Sequence, residues 1–315
     1  MTTDYSSALR AASDAAGNQH YPAGALYVVA TPIGNLADIT LRALQVLQLC
    51  DTIACEDTRH TQQMLRAYGI DKSSHQLLAV HQHNESEAAQ GVVSLLQQQK
   101  RVAYVSDAGT PGISDPGARL VATVHAAGLR VMPLPGASSV TTLLSAAAVG
   151  ATSEETSGFV FQGFLPAKAG ERASAVETLA AEARAVVLLE APHRILALAQ
   201  SLAVLGERQV TVGRELTKQF ESIAQMPAAE FASWLQADSH RQRGEFVLVL
   251  HPAPVAAQGG GNTKLLKLLM TELPLKTAVK LAAEITGEHR NALYEEALAL
   301  KKEDSDDTLG PGGPA

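Results

Sequence analysis

The residues best suited to chemistry gather in short turns, each directly after an apolar run. The densest is Val105-Ser106-Asp107-Ala108-Gly109-Thr110-Pro111-Gly112-Ile113-Ser114-Asp115-Pro116-Gly117, with three glycines, two prolines and two aspartates in thirteen residues. Such a turn is stiff and poor in side chains, so its backbone N–H and C=O groups can approach a ligand closely. It lacks the Gly-Lys-Ser/Thr ending of a phosphate loop and the Gly-x-Gly-x-x-Gly spacing of a dinucleotide site. The expected ligand is therefore nucleoside-like and held by main chain. An ordinary tight loop between strand and helix is the plainer reading of this stretch alone.

Other turns carry further candidates. In Thr31-Pro32-Ile33-Gly34-Asn35-Leu36-Ala37-Asp38, Pro32 and Gly34 shape the bend while Asn35 or Asp38 can cap a helix. Glu56-Asp57-Thr58-Arg59-His60 gathers two carboxylates, a guanidinium and an imidazole, either salt-bridged at a helix start or facing a substrate. Pro133-Leu134-Pro135-Gly136-Ala137-Ser138-Ser139 leaves room for a flat ligand. Arg194, in Glu190-Ala191-Pro192-His193-Arg194, joins Arg214 and Lys218, in Gly213-Arg214-Glu215-Leu216-Thr217-Lys218. Together they form a cationic group suited to phosphates or, equally, a solvated charged face. Lys168 and Arg172 could extend it.

These turns need a scaffold that brings strand ends together. From Ala25, apolar runs alternate with helical spacing: strands over 26–30, 52–55, 77–80, 102–105 and 130–134, and helices over 36–49, 85–99, 116–127 and 138–148. That alternation predicts an α/β fold, with a mostly parallel sheet covered on both faces and ligands at the strands' carboxyl ends. Every turn noted above falls at such an end. A polar stretch, Ser153 to Gly158, reads as a hinge. Beyond it, strands over 159–162, 185–190, 209–213 and 246–250, with helices near 171–182, 193–204 and 227–237, make a second α/β domain. The expected boundaries are a disordered tail over 1–20, α/β domains over 21–152 and 153–252, a linker over 253–261, a small helical domain over 262–303 and a disordered tail over 304–315. Within the helical domain, Thr277 to Leu298 has a helix-turn-helix-like layout around Gly287.

The bulk properties bound the function. The 315 residues are enough for two cores, and 46% apolar with 18% charged residues argues against disorder. A net charge of −7 supplies no global basic field for nucleic acid, so any RNA must meet a local patch. Cys50 and Cys55 lack metal-ligand spacing and read as buried apolar residues in a reducing compartment, so no metal is expected. No run reaches the length of a membrane span and the N-terminus lacks a leader's apolar segment, so a cytoplasmic location is expected.

Taken in order, Tyr27–Asp38, Glu56–Thr61, Ser106–Pro111, Pro192-His193-Arg194 and Arg214–Lys218 resemble one family. It is the small-subunit ribosomal RNA 2′-O-ribose cytidine methyltransferases, a branch of the tetrapyrrole (precorrin) methylase superfamily. The resemblance implies S-adenosylmethionine bound in a cleft between two α/β domains, a homodimer, and methyl transfer to a cytidine ribose hydroxyl in the ribosomal decoding region. It carries cofactor contacts onto Pro32, Asp107, Gly109, Thr110, Pro111, Gly136, Ala137, Ser138 and Ala191, with Gly244 and Glu245 closing the site. RNA contacts would fall on Lys168, Arg194, Arg214, Lys276, Lys280 and Arg290. Tetrapyrrole methylases carry Gly-Asp-Pro where this chain has Gly109-Thr110-Pro111, which favours the RNA branch. Pro135-Gly136-Ala137 also departs from Pro-Gly-Pro, and Ala191 stands where Ser is expected.

Displacement at a sulfonium methyl gains chiefly from positioning, whereas a neutral ribose hydroxyl gains from a base or from a cation beside the developing oxyanion. Glu215 and Asp57 are the base candidates; Lys218 and Arg59 are the oxyanion or phosphate candidates. The alternatives are a tetrapyrrole methylase and a non-catalytic RNA- or nucleotide-binding protein. A nicotinamide dehydrogenase is disfavoured by the missing glycine spacing.

Overall fold

A computed structural model describes residues 5–81, 84–115, 117–149, 158–253, 259–287 and 289–306. The chain divides into two compact units, one through Pro252 and one from Ala253. The chain enters through helix α1 (Ser6–Ala16), and strand β1 (Ala25–Val29) follows. Next come α2 (Leu41–Leu49), β2 (Thr52–Cys55), α3 (Thr58–Ala67), β3 (Leu77–Ala79), α4 (Glu85–Gln97) and β4 (Val102–Val105). The first sheet is completed by α5 (Gly117–Ala126), β5 (Arg130–Leu134) and α6 (Ser139–Ala146). Its order is β3-β2-β4-β1-β5, with every pairing parallel. β1 and β4 are near-continuous apolar runs because helices bury them on both faces.

The second sheet comprises β6 (Phe159–Phe164), β7 (Ala185–Glu190), β8 (Gln209–Arg214), β9 (Ser222–Pro227) and β10 (Phe246–Leu250). Its helices are α7 (Ala169–Ala180), α8 (Ile195–Leu202) and α9 (Ala228–Gln236). The order is β6-β7-β10-β8-β9, parallel only between β6 and β7. Helix α6 joins the two halves into one unit: Val140 and Leu143 pack with Val187, Val247 and Val249 of the second sheet. A methyl on Gly213 would sit 2.7 Å from Leu143, so this approach requires glycine there.

Several expectations are corrected. The tail over 1–20 is not disordered throughout: α1 packs through Ala12 and Ala16, and Tyr5 meets the Tyr68 ring edge-on at 5.3 Å. The helix over 36–49 is interrupted, because Thr40 caps α2 by accepting the Ala43 N–H at 3.1 Å. Leu36–Asp38 is a separate 3₁₀ turn capped by Asn35. Strand β9 was not anticipated; it is a short edge strand in which only Met226 is buried, held antiparallel to β8. The hinge at 153–157 and the core of the linker at 254–258 lie outside the described residues, whereas the linker's last residues, Gly259–Gly261, are helical.

The second unit contains α10 (Gly259–Glu272), α11 (Leu275–Thr286) and α12 (Arg290–Asp306), around Leu266, Val279, Ala282, Leu293 and Ala297. Helix α12 extends past the expected start of the terminal tail at 304; residues 307–315 lie outside the described set. Among the described residues no helix is long and apolar enough to cross a membrane, and no cluster of His, Cys, Asp or Glu could hold a metal. Cys50 and Cys55 are buried and unbridged.

Candidate active site

The glycine-rich turn after β4 is fastened to its neighbours by main-chain bonds. Thr31 and Gly109 exchange N–H···O bonds, both 3.0 Å, which zips the turn after β1 to the turn after β4. Gly109 has φ +83°, a conformation that side-chain-bearing residues rarely adopt. Thr110 Oγ1 donates to the Ala137 carbonyl at 2.9 Å and so ties in the turn after β5. A methyl on Gly136 would fall 2.7 Å from Ala30 Cβ, so the third turn closes only with glycine there. The far end is locked by Asp115, which accepts from the Tyr104 hydroxyl and the Gly117 N–H at 2.8 Å and from the Gly112 N–H at 2.7 Å. Three adjacent strands thus present one rigid shelf.

Two clefts flank this shelf and share Asp107 and Ala108. The first, about 250 Å³, is lined by the shelf with Glu56, Ser138, Ser139 and Leu189. Burial, reinforced by Asp107 and Asp115, pushes the Glu56 carboxyl above its ordinary pKa. The second, about 400 Å³, lies between the turn after β1 and helix α3, with Lys218 and Glu245 beside it. Helix α3 lines it with His60, Gln63, Met64 and Ala67, the i, i+3, i+4, i+7 stripe of one helical face.

Lys218 is held by two carboxylates, donating to Glu215 Oε1 at 2.9 Å and to Glu245 Oε2 at 3.0 Å. Burial alone would lower its pKa, but these bonds outweigh burial and hold the ammonium above its usual range. For Glu215 burial acts upward, yet the Lys218 bond and the Glu245 N–H hold the carboxylate below its usual range. The loop carrying them is strained, with Glu215 at φ 51° and Thr217 at φ 67°. Gly244 (φ 92°) packs so close to Glu215 that an added methyl would meet Glu215 Cγ at 2.5 Å.

The anticipated residues separate into groups. Asp107, Gly109, Thr110 and Ser138 line the smaller cleft, while Pro32, Lys218 and Glu245 line the larger. Gly136, Ala137 and buried Pro111 support the shelf from behind. Ala191 instead donates its N–H to Glu190 Oε1 at 2.9 Å. Asp57 and Arg59 lie off both linings. Asp57 caps α3, accepting the Arg59 and His60 N–H groups at 2.8 and 3.3 Å, which lowers its pKa. The Arg59 side chain is 93% exposed and lies 3.7 Å from Asp57.

The expected cationic group is not a free phosphate patch. Arg194 is paired with buried Glu190 at 3.1 Å, and Arg214 donates to Ser222 Oγ and the Phe220 and Arg243 carbonyls. Lys168 is exposed and paired with Glu171 at 3.0 Å. In the second unit Lys276 and Arg290 are exposed, and Lys280 lies 3.9 Å from Glu284. Glu56, His60 and Ser139, from turns already noted in the sequence, line the clefts, whereas Gln63 and Met64 were not singled out; the helical stripe after the Asp57 cap was their legible signal.

Residues 25–232 match the family of tetrapyrrole (corrin/porphyrin) methylases, and residues 263–301 match the RsmI C-terminal HTH domain. The ribosomal RNA small subunit methyltransferase I of Escherichia coli O157:H7 is 48% identical over 279 residues, covering 87% of this chain and 95% of that protein. The protein of the same name from Neisseria meningitidis serogroup B is 48% identical over 282 residues, covering 88% and 94%. Among solved structures, a cobalt precorrin-4 methyltransferase (16% identity, TM-score 0.53) covers 72% of this chain and 94% of its own, a likeness of fold alone. The chain therefore belongs to the tetrapyrrole methylase family, within the branch of ribosomal RNA small subunit methyltransferase I.

Proposed function

We propose that this chain transfers the methyl group of S-adenosylmethionine to the 2′-hydroxyl of a cytidine ribose in the decoding region of small-subunit ribosomal RNA. The observation that carries this reading is the rigid main-chain shelf between two adjoining clefts, in a chain 48% identical to a ribosomal RNA small subunit methyltransferase I. The donor set fits a cationic nucleoside: Gly109 and Ser138 offer a side-chain-poor surface, and Glu56 and Asp107 offer carboxylates. When bound, S-adenosylmethionine supplies a sulfonium methyl open to in-line displacement. Gly109, Thr110, Ser138 and Ser139 would hold it, on a surface fixed before binding, so little ordering cost falls on the reaction.

The chain's own residues then act on the acceptor. Asp107 borders both clefts; its Oδ1 accepts the Asp57 N–H at 3.2 Å, and it is the carboxylate best sited to take the ribose proton. Lys218, kept cationic by Glu215 and Glu245, donates toward the developing oxyanion. Glu215 is committed to Lys218 and to the Glu245 N–H, and Asp57 to its helix, so neither serves as the base. The second unit contacts RNA through Lys276, Lys280 and Arg290, and the protein works as a cytoplasmic homodimer; the helix-turn-helix match and the family resemblance support these points.

The test offers labelled S-adenosylmethionine to small ribosomal subunits from cells lacking this protein, to naked ribosomal RNA and to a tetrapyrrole precursor. Label entering RNA is expected. Label entering only the tetrapyrrole would move the chain to the porphyrinoid branch, and absence of transfer with absence of binding would end the methyltransferase reading.

A further inference from the structure

We infer that the larger cleft is the pocket for the acceptor nucleotide's base, and that Gln63 and His60 are its reading residues. This inference rests on the methyltransferase reading. The two clefts differ in what they present. The smaller is lined by the glycine-rich shelf, the carboxylate residues Glu56, Asp107 and Asp115, and the apolar Ile113, Val140 and Leu189, suited to one invariant cationic nucleoside. The larger is walled by side chains on one face of α3, with Pro32, Ile33 and Leu36 opposite. A helical face of mixed apolar and amide side chains can pack on a base and meet its edge, which suits the larger cleft to the acceptor base and leaves the shelf to the donor.

The α3 stripe is graded. Met64 is buried and Ala67 half-buried, both apolar, whereas His60 and Gln63 are exposed one turn nearer its amino end. The opposite face of the helix, Thr61 and Leu65, is buried in the first sheet's core, and Asp57 fixes the helix start. His60 and Gln63 therefore sit on a rigid support and contribute no core packing. Single-stranded RNA is read by just such elements, flat or polarisable groups for the base face and amides for its Watson–Crick edge. The Gln63 amide presents a carbonyl acceptor beside an NH₂ donor, matching the adjacent amino group and ring nitrogen of cytosine. Lys218 and Glu245 at the same cleft then fall beside the ribose, and Asp107 on the shared wall faces the donor side.

The test uses the full chain with Gln63→Leu and His60→Ala. S-adenosylmethionine affinity, measured by calorimetry, stays within about twofold of wild type. KM for small subunits rises roughly tenfold for each lost hydrogen bond while kcat is unchanged, because base recognition is uniform binding. A photoreactive 4-thiopyrimidine at the methylated position crosslinks to the peptide spanning Thr58–Ala67. A large loss of S-adenosylmethionine affinity in either variant would assign this cleft to the donor and overturn the inference. Crosslinking confined to other peptides, or variants identical to wild type in KM, would also overturn it. If wild type transfers no methyl to subunits, the methyltransferase reading falls and this inference with it; transfer by wild type with KM unchanged in both variants overturns the inference alone.

Discussion

Replacing Gly244 by alanine tests whether the Glu215–Lys218–Glu245 arrangement is as tightly set as its geometry indicates. Gly244 has φ +92°, and an added methyl would lie 2.5 Å from Glu215 Cγ and 2.6 Å from Cδ and Oε1. Glu215 must therefore move, losing its bonds from Lys218 Nζ and from the Glu245 N–H, both 2.9 Å. Glu215 and Lys218 side chains are 20% and 28% exposed, so solvent screening reduces each bond to about 1 kcal/mol, below the ~1.5–3 kcal/mol of fully buried charged bonds. Backbone strain adds about 1–2 kcal/mol, of which ~0.4–1 is offset by a stiffer unfolded chain. Gly128→Ala isolates that strain, because Gly128 has φ +69° and nothing within 4 Å of the new methyl. Gly244→Ala should thus cost about 2 kcal/mol more than Gly128→Ala, a melting temperature lower by roughly 4–8 °C. Thermal and urea unfolding of both variants measure it. In the Gly244→Ala background, Glu215→Ala should cost less than it does alone, since the Glu215 bonds are already lost there and truncation removes the clash. Equal losses for the two glycine variants, or additive losses in the double variant, would refute the reasoning.

Three further outcomes follow from the same geometry. Glu56→Gln should raise the melting temperature at neutral pH and weaken S-adenosylmethionine binding: the fold raises the Glu56 pKa, so wild type loses stability as pH climbs above about 4.3, the unfolded value, and the Gln variant does not. Paired melts from pH 4 to 8 check it, and a constant offset would contradict it. Asp57→Ala should lower the melting temperature at pH 7 while leaving kcat within about twofold, since Asp57 caps α3 and borders neither cleft. Its folded pKa is depressed, so the capping stability is complete above pH ~3.9 and disappears as pH falls through the lower folded value. Tyr68→Phe removes a hydroxyl that donates to the Leu36 carbonyl at 2.5 Å, and unfolding should show a loss of about 1 kcal/mol without change in S-adenosylmethionine affinity.

What could be read in the sequence follows what each residue's neighbours demand. The central strands were legible because Val102–Val105, Ala185–Glu190 and Phe246–Leu250 are buried almost throughout and must be apolar. The shelf was legible because only glycine and proline satisfy its bends. Strand β9 escaped because an edge strand needs pairing more than apolar residues. Helix α1 escaped because it packs with small alanines. The arginine roles were not legible, since Arg194 and Arg214 are used against main-chain carbonyls and a local carboxylate that only the fold assembles. His60 and Gln63 resemble an ordinary solvated helix face until the turn after β1 is placed opposite them.

The most direct test of the central claim is the chemical position of the transferred methyl. Small-subunit RNA labelled by this protein is digested with alkali, which cleaves beside every free 2′-hydroxyl, and the resistant dinucleotide is identified by mass. The account predicts a single resistant site carrying 2′-O-methylcytidine. Label on a base, or on no RNA nucleotide, would contradict it.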